Sequence, residues 1–89
     1  MARVSVKLPV GTTTASGRTE VEVEAVTVQE ALDKAIGLEP STRLRVYRED
    51  GRMYAGVFVG GRNIKLAGGL EAELKDGDVL RIVPPISGG

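Results

Sequence analysis

Few residues in this chain of 89 could do chemistry, because the usual ones are missing. There is no cysteine and no histidine. That removes thiol nucleophiles, Fe–S clusters, Ser-His-Asp triads and the ordinary zinc and haem ligand sets. Ser5, Ser16, Ser41 and Ser87 have no imidazole to activate them. Two acid pairs remain, Glu49-Asp50 and Asp76 with Asp78, whose types suit general acid–base work or a hard cation. Both pairs border an Asp-Gly turn signal, where aspartate is favoured because it accepts hydrogen bonds from nearby backbone. Asp76-Gly77-Asp78 lacks the later glutamate of a calcium loop, and neither G-x-G-x-x-G nor G-x-x-x-x-G-K-[ST] occurs. No metal site and no permanently bound cofactor is expected.

The remaining candidate is the end of the chain, Pro84-Pro85-Ile86-Ser87-Gly88-Gly89. The residues after Pro85 reach about 13–14 Å when extended. Two glycines carry no Cβ, so this end fits a narrow channel and adopts any φ. It would present the α-carboxylate of Gly89. A carboxylate is a poor electrophile until one oxygen becomes a leaving group, as when it attacks ATP to form an acyl-adenylate. Sulfur or an amine can then displace AMP. Residues 1–85 are expected to form one domain and 86–89 a flexible tail. A chance Gly-Gly ending is the plain alternative, since Gly supplies 12 of the 89 residues.

The elements that must hold this end are legible in the periodicities. Val4, Val6 and Leu8 alternate with Arg3, Ser5 and Lys7, and Val21 and Val23 alternate with Glu20, Glu22 and Glu24. These are two half-buried strands, most simply a hairpin, with the glutamates as a solvated face that discourages edge pairing. Val28, Ala31, Leu32, Ala35 and Ile36 form one apolar stripe, which predicts a helix over 28–36. Thr27 and Glu30 have capping-box spacing, and Gly37 is placed for a left-handed stop before Pro40. Residues 44–47, 53–59 and 64–66 read as extended segments, and 70–74 as a helical turn or an extended piece. Asp50-Gly51, Gly60-Gly61, Gly68-Gly69 and Asp76-Gly77-Asp78 are turn signals between them. Residues 79–83 are almost continuously apolar, which predicts a central strand ended by Pro84-Pro85. The order predicts an α+β roll, a mixed sheet with one main helix packed on one face. The pairing order stays open.

Charge narrows the partners. Twelve basic and twelve acidic residues leave zero net charge, so no basic field points to nucleic acid or an anionic membrane. Tyr47, Tyr54 and Phe58 are too few for a base-stacking platform. No apolar run approaches the roughly 18 residues of a membrane helix, and no signal-peptide apolar region is visible. A cytoplasmic protein with no nucleic-acid and no membrane partner is expected.

The stretch Leu74-Lys75-Asp76-Gly77-Asp78-Val79-Leu80-Arg81-Ile82-Val83-Pro84-Pro85-Ile86-Ser87-Gly88-Gly89 resembles the C-terminus of the MoaD/ThiS sulfur-carrier family, and within it the MoaD branch. The D-G-D turn, the strand, Pro-Pro and Gly-Gly coincide in one register. The resemblance implies a ubiquitin-like β-grasp fold. It implies that Gly89 is the activated terminal glycine, with Pro85, Ile86, Ser87 and Gly88 as the tail that partner enzymes thread. An activating enzyme of the MoeB/ThiF type would adenylate Gly89 with ATP, and a persulfide sulfur donor would convert it to a thiocarboxylate. A MoaE-like large subunit of molybdopterin synthase, or another sulfur acceptor, would then take the sulfur, in the first case for molybdenum cofactor biosynthesis. The chain would be a sulfur-donor subunit, not a catalyst by itself. The alternative is a carrier for a different acceptor, or a modifier joined to proteins through Gly89. The family docks partners through the open sheet face beside the tail. Here that face is expected to draw on Tyr54, Val57, Val59 and Arg81, with Phe58 on the opposite side of a regular strand. Two departures stand out: Gly60 occupies a turn position where many members carry Asn, and the stretch after the helix, Glu39 to Arg43, is shorter than in typical MoaD proteins.

Overall fold

The computed structural model describes residues 2–8, 19–53 and 55–83. The alternating valines make the first two strands, β1 (Ala2–Lys7) and β2 (Glu20–Ala25). They pair antiparallel with Val4 opposite Val23 and Val6 opposite Val21, all four buried, while Glu20, Glu22 and Glu24 face solvent. Period-2 alternation puts one residue set on each face, so the register is fixed by which set must leave water.

The apolar stripe makes α1 (Val28–Leu38), with Val28, Ala31, Leu32 and Ala35 buried. Thr27 Oγ1 accepts from the Glu30 amide at 3.3 Å, the expected N-cap bond. The Glu30 carboxylate reaches back to accept from the Val26 amide at 2.6 Å, one residue beyond the N-cap itself. The expected left-handed stop at Gly37 is corrected: α1 runs through Gly37 to Leu38, and Gly37 is absent from the positive-φ glycines. Glycine in a helix costs only about 1 kcal/mol, whereas Pro40 bars its predecessor from helical dihedrals. Glu39 accordingly takes φ −132 and ψ 82 and closes the helix by donating its N–H to the Ala35 carbonyl.

The segment after the helix also differs from expectation. A 3₁₀ turn at Pro40–Thr42 leads into a short helix, α2 (Arg43–Val46), where residues 44–47 read as extended. Val46 is fully buried while Leu44 is 66% exposed. Too few residues lie here for periodicity to distinguish a helical turn from a strand. The Asp50-Gly51 turn is present: Tyr47 bridges Met53, the Arg48 amide donates to the Arg52 carbonyl at 2.7 Å, and Gly51 has φ 88. Residues 64–66 form a 3₁₀ turn, not a strand, with Asn63 Oδ1 accepting from the Lys65 amide at 2.9 Å. Ile64 is buried and Leu66 is 80% exposed. Residues 69–71 form another 3₁₀ turn, and Glu73 then bridges Thr27.

Strands β3 (Gly56–Val59), β4 (Arg62–Asn63) and β5 (Val79–Val83) complete one sheet of order β2-β1-β5-β3-β4. β5 is central as expected, parallel to β1 and antiparallel to β3. Leu80 and Ile82 join Val4, Val6, Val57, Val28 and Leu32 in the layer between sheet and α1. Fully burying a Leu such as Leu32 or Leu80 contributes roughly 1.5–3 kcal/mol. The architecture is the expected mixed sheet with one main helix on one face. The expected division between residues 85 and 86 lies outside the described residues.

Candidate functional site

The expected reactive end, Pro85, Ile86, Ser87, Gly88 and Gly89, lies outside the described residues, as does Tyr54. The strand that leads to that end is β5, and the Asp76-Gly77-Asp78 turn anchors its start. Asp76 Oδ1 accepts from the Arg3 amide at 2.8 Å. Gly77 donates its N–H to the Arg3 carbonyl at 3.0 Å, and the Asp78 carbonyl accepts from the Ser5 amide at 3.0 Å. Asp78 Oδ2 closes the turn by accepting from the Lys75 amide at 2.8 Å. Gly77 has φ 88, a conformation that glycine takes without a Cβ penalty. The turn therefore clamps the start of β5 to β1, and parallel pairing follows from Ser5–Val79 to Lys7–Arg81. On its other side β5 pairs with β3 as far as Gly56–Val83. β5 is thus held between two strands as far as Arg81, and Val83 at its end is paired with β3.

Three of the four acids serve turns. Asp76 and Asp78 are engaged as above, and Asp50 Oδ1 accepts from the Arg52 amide at 3.0 Å. Among the described residues no group of three His, Cys, Asp or Glu could hold a metal ion. No helix among them is long and apolar enough to cross a membrane.

Arg81 is exposed between buried Leu80 and Ile82 and so lies on the open face, away from α1. The other members of the expected docking set do not share that face. Val57 is 1% exposed and belongs to the core, and Val59 is half-buried and packs against it. Phe58, expected on the opposite side from the docking set, is the register partner of Arg81 and shares its face. The reason is the pairing of Val57 with buried Ile82, which fixes the parity of β3. Val-Phe-Val is apolar at every position, so its alternation carries no signal of which residue turns inward.

One row of side chains crosses the whole open face: Glu20, Lys7, Arg81, Phe58 and Asn63, from edge to edge. Val79 and Val83 flank Arg81 along β5 and are 36% and 37% exposed. Lys7, Phe58, Val79, Arg81 and Val83, with the Gly60-Gly61 turn, line a depression of about 550 Å³. Gly60 and Gly61 have φ 59 and 81, the pair of positive values that a tight hairpin turn of the I′ type needs. Asn also tolerates such dihedrals, so either Gly or Asn at position 60 suits this turn. Lys7 and Phe58 are the residues that sequence reasoning left out of this face. The outward place of Lys7 was already visible in the β1 alternation, whereas that of Phe58 needed the β3–β5 register.

Comparison with known proteins places this arrangement. Residues 6–89 match the ThiS family. A protein of Archaeoglobus fulgidus, provisionally assigned as a sulfur carrier, is 31% identical over 97% of this chain and 98% of its own. Small archaeal modifier protein 1 of Haloferax volcanii is 40% identical over 81% of this chain and 79% of its own. Among solved structures, the Amycolatopsis orientalis BexX/CysO complex contains a chain that matches with TM-score 0.79 and 34% identity, covering 97% of this chain and 99% of that one. A provisionally assigned molybdopterin converting factor subunit 1 from Pyrococcus furiosus matches with TM-score 0.70 and 26% identity, covering 97% of this chain and all (100%) of that one. The match over nearly the whole length, on a mixed sheet with one helix across it, makes this chain a member of the ThiS family, the MoaD/ThiS-like sulfur carriers with the ubiquitin-like β-grasp fold.

Proposed function

We propose that this chain carries sulfur on the carboxyl group of Gly89 and delivers it as a thiocarboxylate. The observation that carries the reading is the pairing of a Gly88-Gly89 end with a chain that has no Cys and no His. In a ThiS-family chain with no thiol of its own, the terminal carboxyl is the group left to hold the sulfur, with catalysis left to partners. A Gly89 oxygen attacks the α-phosphate of ATP, and pyrophosphate leaves. The persulfide sulfur of a donor then attacks the acyl carbon, AMP leaves, and a second thiol splits the S–S bond to release the thiocarboxylate. A MoeB/ThiF-like enzyme performs the activation in the cytoplasm, and Pro85, Ile86, Ser87 and Gly88 thread its channel. The specific acceptor we favour is a MoaE-like large subunit, which makes this chain the small subunit of molybdopterin synthase. The D-G-D-to-Gly-Gly register and the likeness to the Pyrococcus furiosus protein support that choice.

A second reading has its own support in the 40% identity to small archaeal modifier protein 1. There the activated Gly89 acyl group passes to a lysine amine instead of to sulfur. Both readings share the activation step and differ in the nucleophile.

Intact-mass measurement after incubation with a cognate activating enzyme, ATP and a persulfide donor tests the proposal. An oxygen-for-sulfur exchange at Gly89 is expected for the carrier. Adducts of this chain on other proteins, with no exchange, favour the modifier. Deleting Gly89, or extending the chain beyond it, is expected to abolish ATP-dependent change. Retained activation in either variant would overturn the assignment of the Gly89 carboxylate as the reacting group.

A further inference from the structure

We propose that the outer edge of β2 seats an extended segment of a target protein as a sixth strand, one with alternating basic and apolar residues, and presents a lysine of that segment to the activated Gly89 acyl group. This rests on the second reading above, transfer to a lysine amine, and names the class of substrate segment.

Backbone alternation defines the edge. The Leu8 amide donates to the Thr19 carbonyl at 2.9 Å. In an antiparallel pair that bond turns the backbone groups of Thr19, Val21, Val23 and Ala25 toward β1, and those of Glu20, Glu22 and Glu24 outward. The bonds of β1 agree, since the Arg3 and Ser5 amides point the other way, to Asp76 and Asp78. Among the described residues no strand lies beyond β2. The Glu24 carbonyl accepts from Lys34 Nζ, so a side chain of α1 blunts that end of the edge. The same bond brings this side of α1 over the edge, and Leu38, one helical turn further along it, is 53% exposed. The opposite edge, β4, has two residues and is too short to seat a strand.

Charge selects the occupant. Glu20 and Glu22 form no ion pair among the described residues; the ion pairs are Arg3 with Glu24 and Arg52 with Asp50. A second copy paired through this edge would set glutamate against glutamate, and like charges opposed across strands are unfavourable. A segment with Lys or Arg at every second position meets Glu20 and Glu22 with opposite charge. Its alternate residues turn to the α1 side, where Leu38 offers an apolar contact. Glu20 lies in one cross-sheet row with Arg81, two residues before Val83. Two strand spacings separate β5 from β2, so a strand added there lies about 14 Å from β5. Residues 84–89 have an extended length of about 20–22 Å, enough to bring the Gly89 acyl carbon to that strand. The lysine amine attacks this carbon, an amide bond forms, AMP leaves, and the amine proton passes to water.

The test uses the full chain and two pentapeptides. One alternates Lys and Val, with Lys at both ends and the centre; the other is identical except for Glu at the centre. Amide NMR with hydrogen exchange reads the edge, and intact mass with the cognate activating enzyme and ATP reads the adduct. The first peptide is expected to shift the amides of residues 20–24, to slow exchange at Glu20 and Glu22, and to form adducts about tenfold faster than the second. Glu22→Lys should reverse that order and leave ATP–pyrophosphate exchange within about twofold of wild type. Glu22→Pro removes an outward N–H and should abolish the edge shifts. Thermal melts check that each variant is folded, and Glu22→Lys carries the test if Glu22→Pro is not. No shift at the edge, or equal adduct rates from the two peptides, would overturn the edge site and leave lysine transfer standing. An activated Gly89 with no adduct on either peptide would overturn the lysine reading and this inference with it.

Discussion

Phe58 stands directly opposite Arg81 in the antiparallel β3–β5 pair, while its neighbour Val57 stands opposite the buried Ile82. One step along the chain therefore separates the open face of the sheet from the core. Side chains alternate along a strand, so the two residues answer to different forces: Val57 to packing against α1, Phe58 to whatever covers the open face.

The contrast between these neighbours is measurable. Val57→Asp places a carboxylate in an apolar layer and is expected to lose 3 kcal/mol or more, roughly enough to unfold so small a domain. Phe58→Asp should keep a cooperative thermal transition within a few degrees of wild type, yet weaken binding to the activating enzyme by about tenfold or more. Calorimetric melts and titration calorimetry separate the two effects. A Phe58→Asp variant that unfolds would place Phe58 among the core residues.

Asp76 tests the clamp at the start of β5. Asp76→Ala removes the acceptor for the Arg3 amide and is expected to cost about 1–3 kcal/mol in urea denaturation. Asp76→Asn keeps an Oδ1 acceptor and should cost less. Equal stability of Asp76→Ala and wild type would mean that the turn is held by its backbone bonds alone.

The Gly60-Gly61 turn should discriminate among replacements by dihedral angle, not by size, since nothing lies within 4 Å of a Cβ built at either glycine. Gly61→Val, forced to a φ of 81, is expected to cost about 1–2 kcal/mol. Gly60→Asn should stay within about 0.5 kcal/mol of wild type because Asn tolerates the left-handed region. Chemical denaturation of the two single variants checks the order.

Thr42 offers a stabilising change. It is fully buried, and its Oγ1 has no hydrogen-bond partner among the described residues. An unpaired buried hydroxyl costs about 1–3 kcal/mol. Thr42→Val keeps the shape without the hydroxyl and should raise the unfolding midpoint. A lower midpoint would reveal a bond that the hydroxyl makes in solution.

The order of the periodicities explains what could be read and what could not. The β1–β2 alternation, the stripe of α1, the apolar run of β5 and the glycine turns are local patterns, each legible because a buried face repeats every second residue or every three to four. The end of the chain was legible in the same way, as a motif and as an absence of Cys and His. Residues 43–46 and 64–66 escaped because each spans only about one helical turn, too short for a repeat of three to four residues to show itself against a repeat of two, and Gly37 because a weak local preference yielded to Pro40.

The linear order of residues was enough to establish the class of fold, the main helix, the central strand and the family signature at Gly88-Gly89. It could not establish that β5 lies between β1 and β3, nor that Arg81 shares a face with Lys7 and Phe58 instead of with Val57 and Val59. Those relationships are made by contacts far apart along the chain, such as the Arg3 amide on Asp76 across 73 residues. Backbone pairing between distant strands sets the register, and register sets the face, so the surface beside the tail exists only once the sheet has closed.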